Sequence, residues 1–398
     1  MKIYEIGTGY TSIPARIGAA TEIVVEELAK SFGQMGHETV VMDIKSENRP
    51  AHQLPIREVW VPKMFSGTDV QLGILHKLKR VVYSVFLSQK LKKELKSSSE
   101  KVVLHFHNQY NLFFFLKLVP KKYRDRALIA YTNHSGIWSL PWEQIKDTIR
   151  KRYFQEAECM KKTDAIFVLN PATRDNAIHH LGVKPEKIHL IRNGVNTSIY
   201  RPLEEEEKNA AAKQFGLEGR KVLLQIGSVY ENKGQERVVR LLEPLLKKNP
   251  ELVYVYAGGI VSEEYQQKVL ETARELGVDK QVVYAGAMKP GEEVNRLYNL
   301  ACVSITASQF EAFPLVTVES LAAGVPVLIN ATVPMDDGNG CIYYTDECMA
   351  ELIETKILLD PQPEKLRQEA RASAISQYGW LKAAELYDSA FHSKANKE

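Results

Sequence analysis

The chain has 398 residues, 44% hydrophobic and 25% charged, a length and composition that predict two globular domains and exclude a disordered or fibrous polypeptide. Its formal charge of +3 hides a split: residues 1–200 carry 30 Lys and Arg against 19 Asp and Glu, and residues 201–398 carry 22 against 30, so the first half is expected to meet something anionic. Four cysteines without CxxC spacing, no apolar run of a signal peptide at the start and no window of 18 apolar residues point to reduced thiols in a cytoplasmic protein that does not span a membrane.

In chain order, KIYEIG predicts a strand, TGYTSIPARIGAA a glycine-containing loop, TEIVVEELAKSFGQMGH a helix, and ETVVMDI a second strand. This β-loop-α-β unit predicts a parallel sheet. LHKLKRVVYSVFLSQKLKKELKSSSEK (75–101) predicts a lysine-rich helix with Leu78, Val82, Val85 and Leu95 among its apolar positions, and LVPKKYRDR (118–126) adds positive charge. KVVLHFHN (101–108), ALIAYTNH (127–134), DAIFVLN (164–170) and IHLIRNG (188–194) read as further strands ending in polar residues or glycine. Ligands bind open parallel sheets at those carboxyl ends. After an acidic connector at 196–220 the pattern restarts with KVLLQIG, LVYVYAGG, VVYAGAM, ACVSITAS and VPVLIN, which predicts a second doubly wound domain and a hinge near 196–205. The final YGWLKAAELYDSAFHSKANKE predicts an amphipathic helix that caps the second domain or crosses back to the first.

Two glutamates stand in the mostly apolar stretch QFEAFPLVTVESLAAGVPVLIN (309–330). Pro314 breaks local order, so Glu311 belongs to a loop at a strand's carboxyl end. A helix from about Val316 or Thr317 to Ala323, stopped by Gly324, carries Glu319 near its start. Unpaired amides there favour an anion. A phosphate at a helix end with carboxylates around it suits a nucleotide sugar. His105 and His107 are expected to point to opposite faces at the end of their strand, and no third residue at a recognisable spacing accompanies them as a zinc site. GTGYTS does not complete a dinucleotide fingerprint, which argues against a nicotinamide oxidoreductase, and no nucleic-acid-binding module is visible.

EAFPLVTVESLAAGVPV resembles the two-glutamate segment of the retaining GT-B glycosyltransferases of family 4 (glycosyltransferase group 1). LHFHN, IRNGVNTSIY, IGSVYENKG and the N-terminal glycine loop are similar to further motifs of that family, in the same order. The resemblance implies an α/β fold of two Rossmann-like domains facing each other across a cleft. Residues 1–198 would bind the acceptor, with a C-terminal helix at 378–396 packing back, and residues 199–377 would bind the donor. It implies that Glu311 bonds hydroxyls of the transferred sugar and Glu319 the ribose, while Phe313, Leu315 and Val316 offer backbone to the diphosphate. Lys233 would lie against that diphosphate, His107 near the sugar, and Gly18 where the N-terminal loop approaches the donor or acceptor. His134 is a candidate for the acceptor side.

One position departs from the family: Ser228 stands where an arginine is usual, leaving the remaining charge to Arg16 or Arg192, or implying a shifted donor or low activity. The loop with Asp336, Asp337, Gly338 and Gly340 replaces another family stretch and receives no chemistry. No metal and no cofactor are expected. The donor is a substrate, with UDP-sugars favoured over GDP- or ADP-sugars. The implied reaction is front-face hexosyl transfer to a hydroxyl in surface polysaccharide, glycolipid or lipid-linked glycan synthesis, with the basic segments 75–101 and 118–126 on an anionic membrane surface at the inner face of the cell membrane. The alternatives are a sugar-phosphate synthase or phosphorylase of the same fold, and a silent sugar-binding relative.

Overall fold

The computed structural model describes residues 1–15, 19–67, 74–98, 100–333, 335 and 340–395. They divide into two compact units, Met1–Asn193 with Trp380–Glu398, and Gly194–Gly379.

The strands of the first unit are β1 (Lys2–Ile6), β2 (Glu38–Ile44), β3 (Ile56–Val59), β4 (Val102–Phe106), β5 (Ala127–Thr132), β6 (Ala165–Val168) and β7 (Ile188–Leu190). They form one sheet in the order β3-β2-β1-β4-β5-β6-β7, parallel at every pairing. Apolar runs such as VVLHF and ALIAYT are buried throughout, as strands covered on both faces must be. The order reverses between β1 and β4, which creates a crevice beyond their carboxyl ends.

The second unit holds β8 (Lys221–Ile226), β9 (Leu252–Ala257), β10 (Val282–Tyr284), β11 (Ala301–Thr306), β12 (Val327–Asn330) and β13 (Cys341–Tyr344), in the order β10-β9-β8-β11-β12-β13 and all parallel. Here the reversal lies between β8 and β11. At the ends of β8 and β9 the backbones nearly touch. Gly258, at φ 147°, could not carry a Cβ, which would lie 2.2 Å from the carbonyl oxygen of Gly227.

Several elements differ from expectation. β3 and β13, the outermost strands at one end of each sheet, were not anticipated. The lysine-rich helix runs Ile74–Ser97, but its buried seam is Tyr83, Leu87, Leu91 and Leu95, whereas Leu78 is 46% exposed. In the connector only Glu205–Phe215 is helical, opened by reciprocal Glu204–Glu207 bonds and closed by Gly216 at φ 64°. The last helix, Trp380–Ala395, belongs to the first unit. Its Tyr387 and Phe391 pack on Phe32 and Phe167. No helix among the described residues is long and apolar enough to cross a membrane.

Candidate active site

In the second unit the loops after β8 and β11 are stitched together. The turn Glu231–Lys233 closes on Gly234 at φ 71°. Its Lys233 carbonyl accepts from Gln225 Nε2 at 2.7 Å, and Tyr254 OH donates to Gln225 Oε1 at 2.6 Å. Asn232 donates to the Phe310 carbonyl at 3.2 Å, and the Gln309 amide returns a bond to Asn232 at 3.0 Å. This lattice brings the Lys233 ammonium onto the Glu311 carboxylate, which also accepts from Ser308 Oγ at 2.7 Å. Burial alone would lower the Lys233 pKa, but Glu311 and Tyr230 reverse that and hold it above its ordinary value. The lysine is therefore a fixed cation.

The helix Leu315–Ala322 begins right after Pro314. The amides of Leu315 and Val316, in its first turn, have no earlier acceptor within the helix. Phe313 is buried with its ring 5.9 Å from that of Tyr378, which anchors the loop. Glu319 is 8% exposed and has no cation beside it among the described residues. Tyr298 OH lies 3.3 Å from its Oε2 and 3.0 Å from the Val316 carbonyl, and Tyr200 is a second hydrogen-bonding hydroxyl. Burial lifts the carboxyl to about 7 although both tyrosines pull the other way. Such a group gains from hydroxyl donors that a ligand would bring.

In the first unit, His105 and His107 do not face apart. Residues two apart on a strand share a face, and their ring centroids are 4.2 Å from each other. Both meet Glu5 on β1, which the β1–β4 register sets opposite His105. Glu5 Oε1 is 2.8 Å from His105 Nδ1 and Oε2 is 2.7 Å from His107 Nε2. Burial opposes the charge on Glu5, but the two imidazoles outweigh it and hold the carboxyl at about 2. The third partner that spacing did not show is thus a carboxylate 100 residues away. Ligand atoms of Glu5, His105 and His107 lie within 4.8 Å of one another, the span of a cation site, yet each is already committed to a carboxylate–imidazole hydrogen bond. His107 Nδ1 is 3.0 Å from His134 Nε2, so both His107 nitrogens are engaged within the protein.

Of the expected residues, the structure therefore gathers Lys233, Glu311, Phe313, Leu315, Val316 and Glu319 beyond the carboxyl ends of the central strands β8 and β11, with Ser228 on the same loop as Lys233. The Ser228 carbonyl accepts from Gln235 at 3.1 Å. Gly18, Arg16, Asp336, Asp337 and Gly338 lie outside the described residues, and Arg192 belongs to the first unit. Sequence reading missed Glu5, Tyr200, Tyr298 and Arg237, the last a guanidinium that donates to the Ala307 carbonyl at 2.8 Å beside the Lys233 loop. Glu5, Tyr298 and Arg237 stand in none of the motifs read from the sequence, and Tyr200, the last residue of IRNGVNTSIY, is brought to Glu319 only by the fold.

The profile of Glycosyltransferase Family 4 matches residues 21–199, and that of Glycosyl transferases group 1 matches residues 207–372. Among relatives, mannosylfructose-phosphate synthase of Agrobacterium fabrum is 24% identical over 346 residues, which cover 81% of this chain and 74% of that enzyme. D-inositol 3-phosphate glycosyltransferase of Corynebacterium aurimucosum is 27% identical over 279 residues, covering 67% of this chain and 64% of its own length. Among solved structures, sucrose-phosphate synthase from Thermosynechococcus elongatus has a TM-score of 0.80 at 17% identity and full coverage of both chains. Anabaena Alr3699/HepE in complex with UDP-glucose has a TM-score of 0.75 at 15% identity, covering 99% of this chain and 100% of the other. With one profile over each half and two parallel sheets beneath them, the chain belongs to the family 4 glycosyltransferases and has their GT-B pair of Rossmann-like domains.

Proposed function

We infer that this glycosyltransferase moves a sugar from a nucleotide sugar, with retention at the anomeric carbon, onto a hydroxyl of a phosphorylated sugar or polyol. The observation that carries the donor half is the Lys233–Glu311 pair set beside buried Glu319 and the first turn of Leu315–Ala322. In this reading Glu319 takes the ribose hydroxyls and Glu311 those of the sugar. Lys233 and the first-turn amides take the diphosphate. Negative charge grows on the leaving phosphate as its bond to the sugar breaks, and a fixed cation there lowers the barrier. UDP is the favoured nucleotide, in keeping with the UDP-glucose complex of the Anabaena neighbour.

For the acceptor half, support comes from Arg80. Its guanidinium lies 4.2 Å from the Tyr10 ring centroid and 5.6 Å from that of Tyr110, residues that follow β1 and β4. It has no carboxylate or hydrogen-bond partner among the described residues, and its Nε is buried. A guanidinium held on two rings is suited to a phosphoryl group. The names of the Agrobacterium, corynebacterial and Thermosynechococcus relatives, each carrying a sugar or inositol phosphate, agree with this.

Calorimetry with UDP, GDP, ADP and their sugars, on the wild type and Glu319→Ala, tests the donor half. Selective binding of one nucleotide, weakened in the variant, is expected, and no binding by any of them would sink it. Transfer to fructose 6-phosphate, inositol phosphate and glucose 1-phosphate, against the unphosphorylated compounds, tests the acceptor half. Equal use of both sets, or no effect of Arg80→Ala, would refute the phosphate preference.

A second reading places a lipid-linked acceptor at an anionic membrane. It is favoured by Trp60 and Met64, 58% and 77% exposed, with Trp60 packed on Phe86 of the lysine-rich helix. Sedimentation with phosphatidylglycerol vesicles but not phosphatidylcholine vesicles, lost in Trp60→Ser, is the expected result. Equal sedimentation with both would dismiss it.

A further inference from the structure

Six side chains form one hydrogen-bonded series in the first unit. Tyr387 OH is 3.2 Å from Thr132 Oγ1, which is 2.7 Å from His105 Nε2. The series continues through Glu5 to His107 and ends at His134, with the distances given above. Its members come from the last helix, β5, β4, β1 and the segments following β4 and β5, so the sheet register and the final helix assemble it together.

The two arms of the series both donate toward Glu5. An ionised carboxylate only accepts, so His105 Nδ1 and His107 Nε2 must both carry protons. Burial, reinforced by His105, holds His107 down at about 4, so at neutral pH its Nδ1 is a bare acceptor. The bond between His107 Nδ1 and His134 Nε2 therefore needs its proton on His134. Burial and the two other histidines hold His134 well below its ordinary pKa, which leaves it neutral. A neutral imidazole with a proton on Nε2 has a lone pair on Nδ1. No described residue bonds that atom, and the ring is half-buried just beyond the carboxyl end of β5.

We propose that Glu5 and His107 are positioning residues that lock His134 in the Nε2–H tautomer, so that its Nδ1 accepts the hydrogen bond of the attacking hydroxyl on the sugar acceptor. The inference rests on the transfer reading above for the identity of that hydroxyl, and for the tautomer on the hydrogen-bond geometry together with the neutral state of the two buried imidazoles. His107, with both nitrogens occupied, acts on the acceptor through His134 rather than by contact.

Two measurements separate these supports. The full chain, labelled with ¹⁵N-histidine, gives each ring's tautomer by long-range proton–nitrogen correlation without any substrate, and the His134 signals are assigned by their loss in His134→Asn. Protons on Nε2 of both His107 and His134 are expected. A proton on Nδ1 of His134 would overturn the inference. Glu5→Gln offers one donor and one acceptor, so it must reverse His105 or His107, and unchanged tautomers at both would overturn it as well.

The second measurement is transfer from UDP-glucose to fructose 6-phosphate. Asn at 134 keeps an acceptor near the Nδ1 position, whereas Gln keeps a donor near Nε2 and loses that acceptor. His134→Gln should have a KM for fructose 6-phosphate about ten-fold above that of His134→Asn, the worth of one hydrogen bond. Equal values in the two variants would overturn the acceptor role. A wild type that neither hydrolyses UDP-glucose nor transfers from it would instead refute the transfer reading with these substrates, and the tautomer then decides the inference.

Discussion

Replacing Glu319 by Gln should stabilise the second unit at alkaline pH while weakening its hold on a nucleotide. Burial raises this carboxyl from 4.5 to about 7. Below pH 4.5 it is protonated in both the folded and unfolded chain and contributes no difference. As pH rises from 4.5 toward 7 the unfolded chain loses this proton while the folded one keeps it, so stability falls, and the fall is complete above the folded value. Between 4.5 and about 7 the loss accumulates at about 1.36 kcal/mol per pH unit and comes to roughly 3 kcal/mol by pH 8. The amide cannot ionise and escapes that loss. Any cost from its extra N–H applies at every pH, so the readout is the difference between pH values. For a unit of this size about 3 kcal/mol corresponds to roughly 6–12 °C in Tm. Calorimetric melts of both proteins at pH 5 and pH 8 should show most of that gain at pH 8 alone, and UDP titration should show weaker binding by the variant. An equal Tm difference at the two pH values would refute the reasoning, because it would mean that Glu319 is already ionised in the folded chain.

Lys233→Met removes the fixed cation and should lower kcat by about 100-fold with the fold intact by circular dichroism, a loss typical of deleting one electrostatic stabiliser. Gly258→Ala drives a Cβ into the Gly227 carbonyl at a φ that L-residues avoid, costing on the order of 3 kcal/mol, whereas Gly259→Ala, with nothing within 4 Å, should melt like the wild type. Phe391→Ala opens the cluster with Phe32, His105 and Phe167 and should cost about 3–5 kcal/mol in the first unit, read from denaturant unfolding. Transfer should survive prolonged dialysis against EDTA, since Lys233 and the helix amides supply the charge compensation in this reading, and restoration only by added Mg²⁺ would contradict it.

The parts of the site legible in the sequence are those carried by local order. Glu311 and Glu319 could be placed because Pro314 and Gly324 bracket the helix between them, and the helix indeed runs Leu315–Ala322 with Ala323 as its cap. Lys233 is singled out by the resemblance of IGSVYENKG to a family motif, and the structure puts it in the turn Glu231–Lys233 that follows β8. Glu5 could not, because its partnership with His105 is a register between strands 100 residues apart. Tyr200 and Tyr298 meet Glu319 from distant segments for the same reason. The two-residue period was misapplied at His105 and His107, which share one carboxylate where opposite faces were expected. β3 escaped notice because IREV is short and half polar at a sheet edge, and β13 because CIYY follows the polar, glycine-bearing stretch at 336–340.

The final helix has a consequence for how the molecule is made. Because Trp380–Ala395 completes the first unit, the second unit is inserted within the first in the order of synthesis. On a ribosome the second unit has all of its residues before the first does. Until the last helix emerges, Phe32, His105 and Phe167 lack their Tyr387 and Phe391 partners, and Thr132 lacks the tyrosine hydroxyl that ends its hydrogen-bonded series. Of the two units, the one whose synthesis starts earlier is the one completed later, so a stop codon ahead of Trp380 would injure the cluster of His105, His107 and His134 while sparing the loops that carry Lys233 and Glu311.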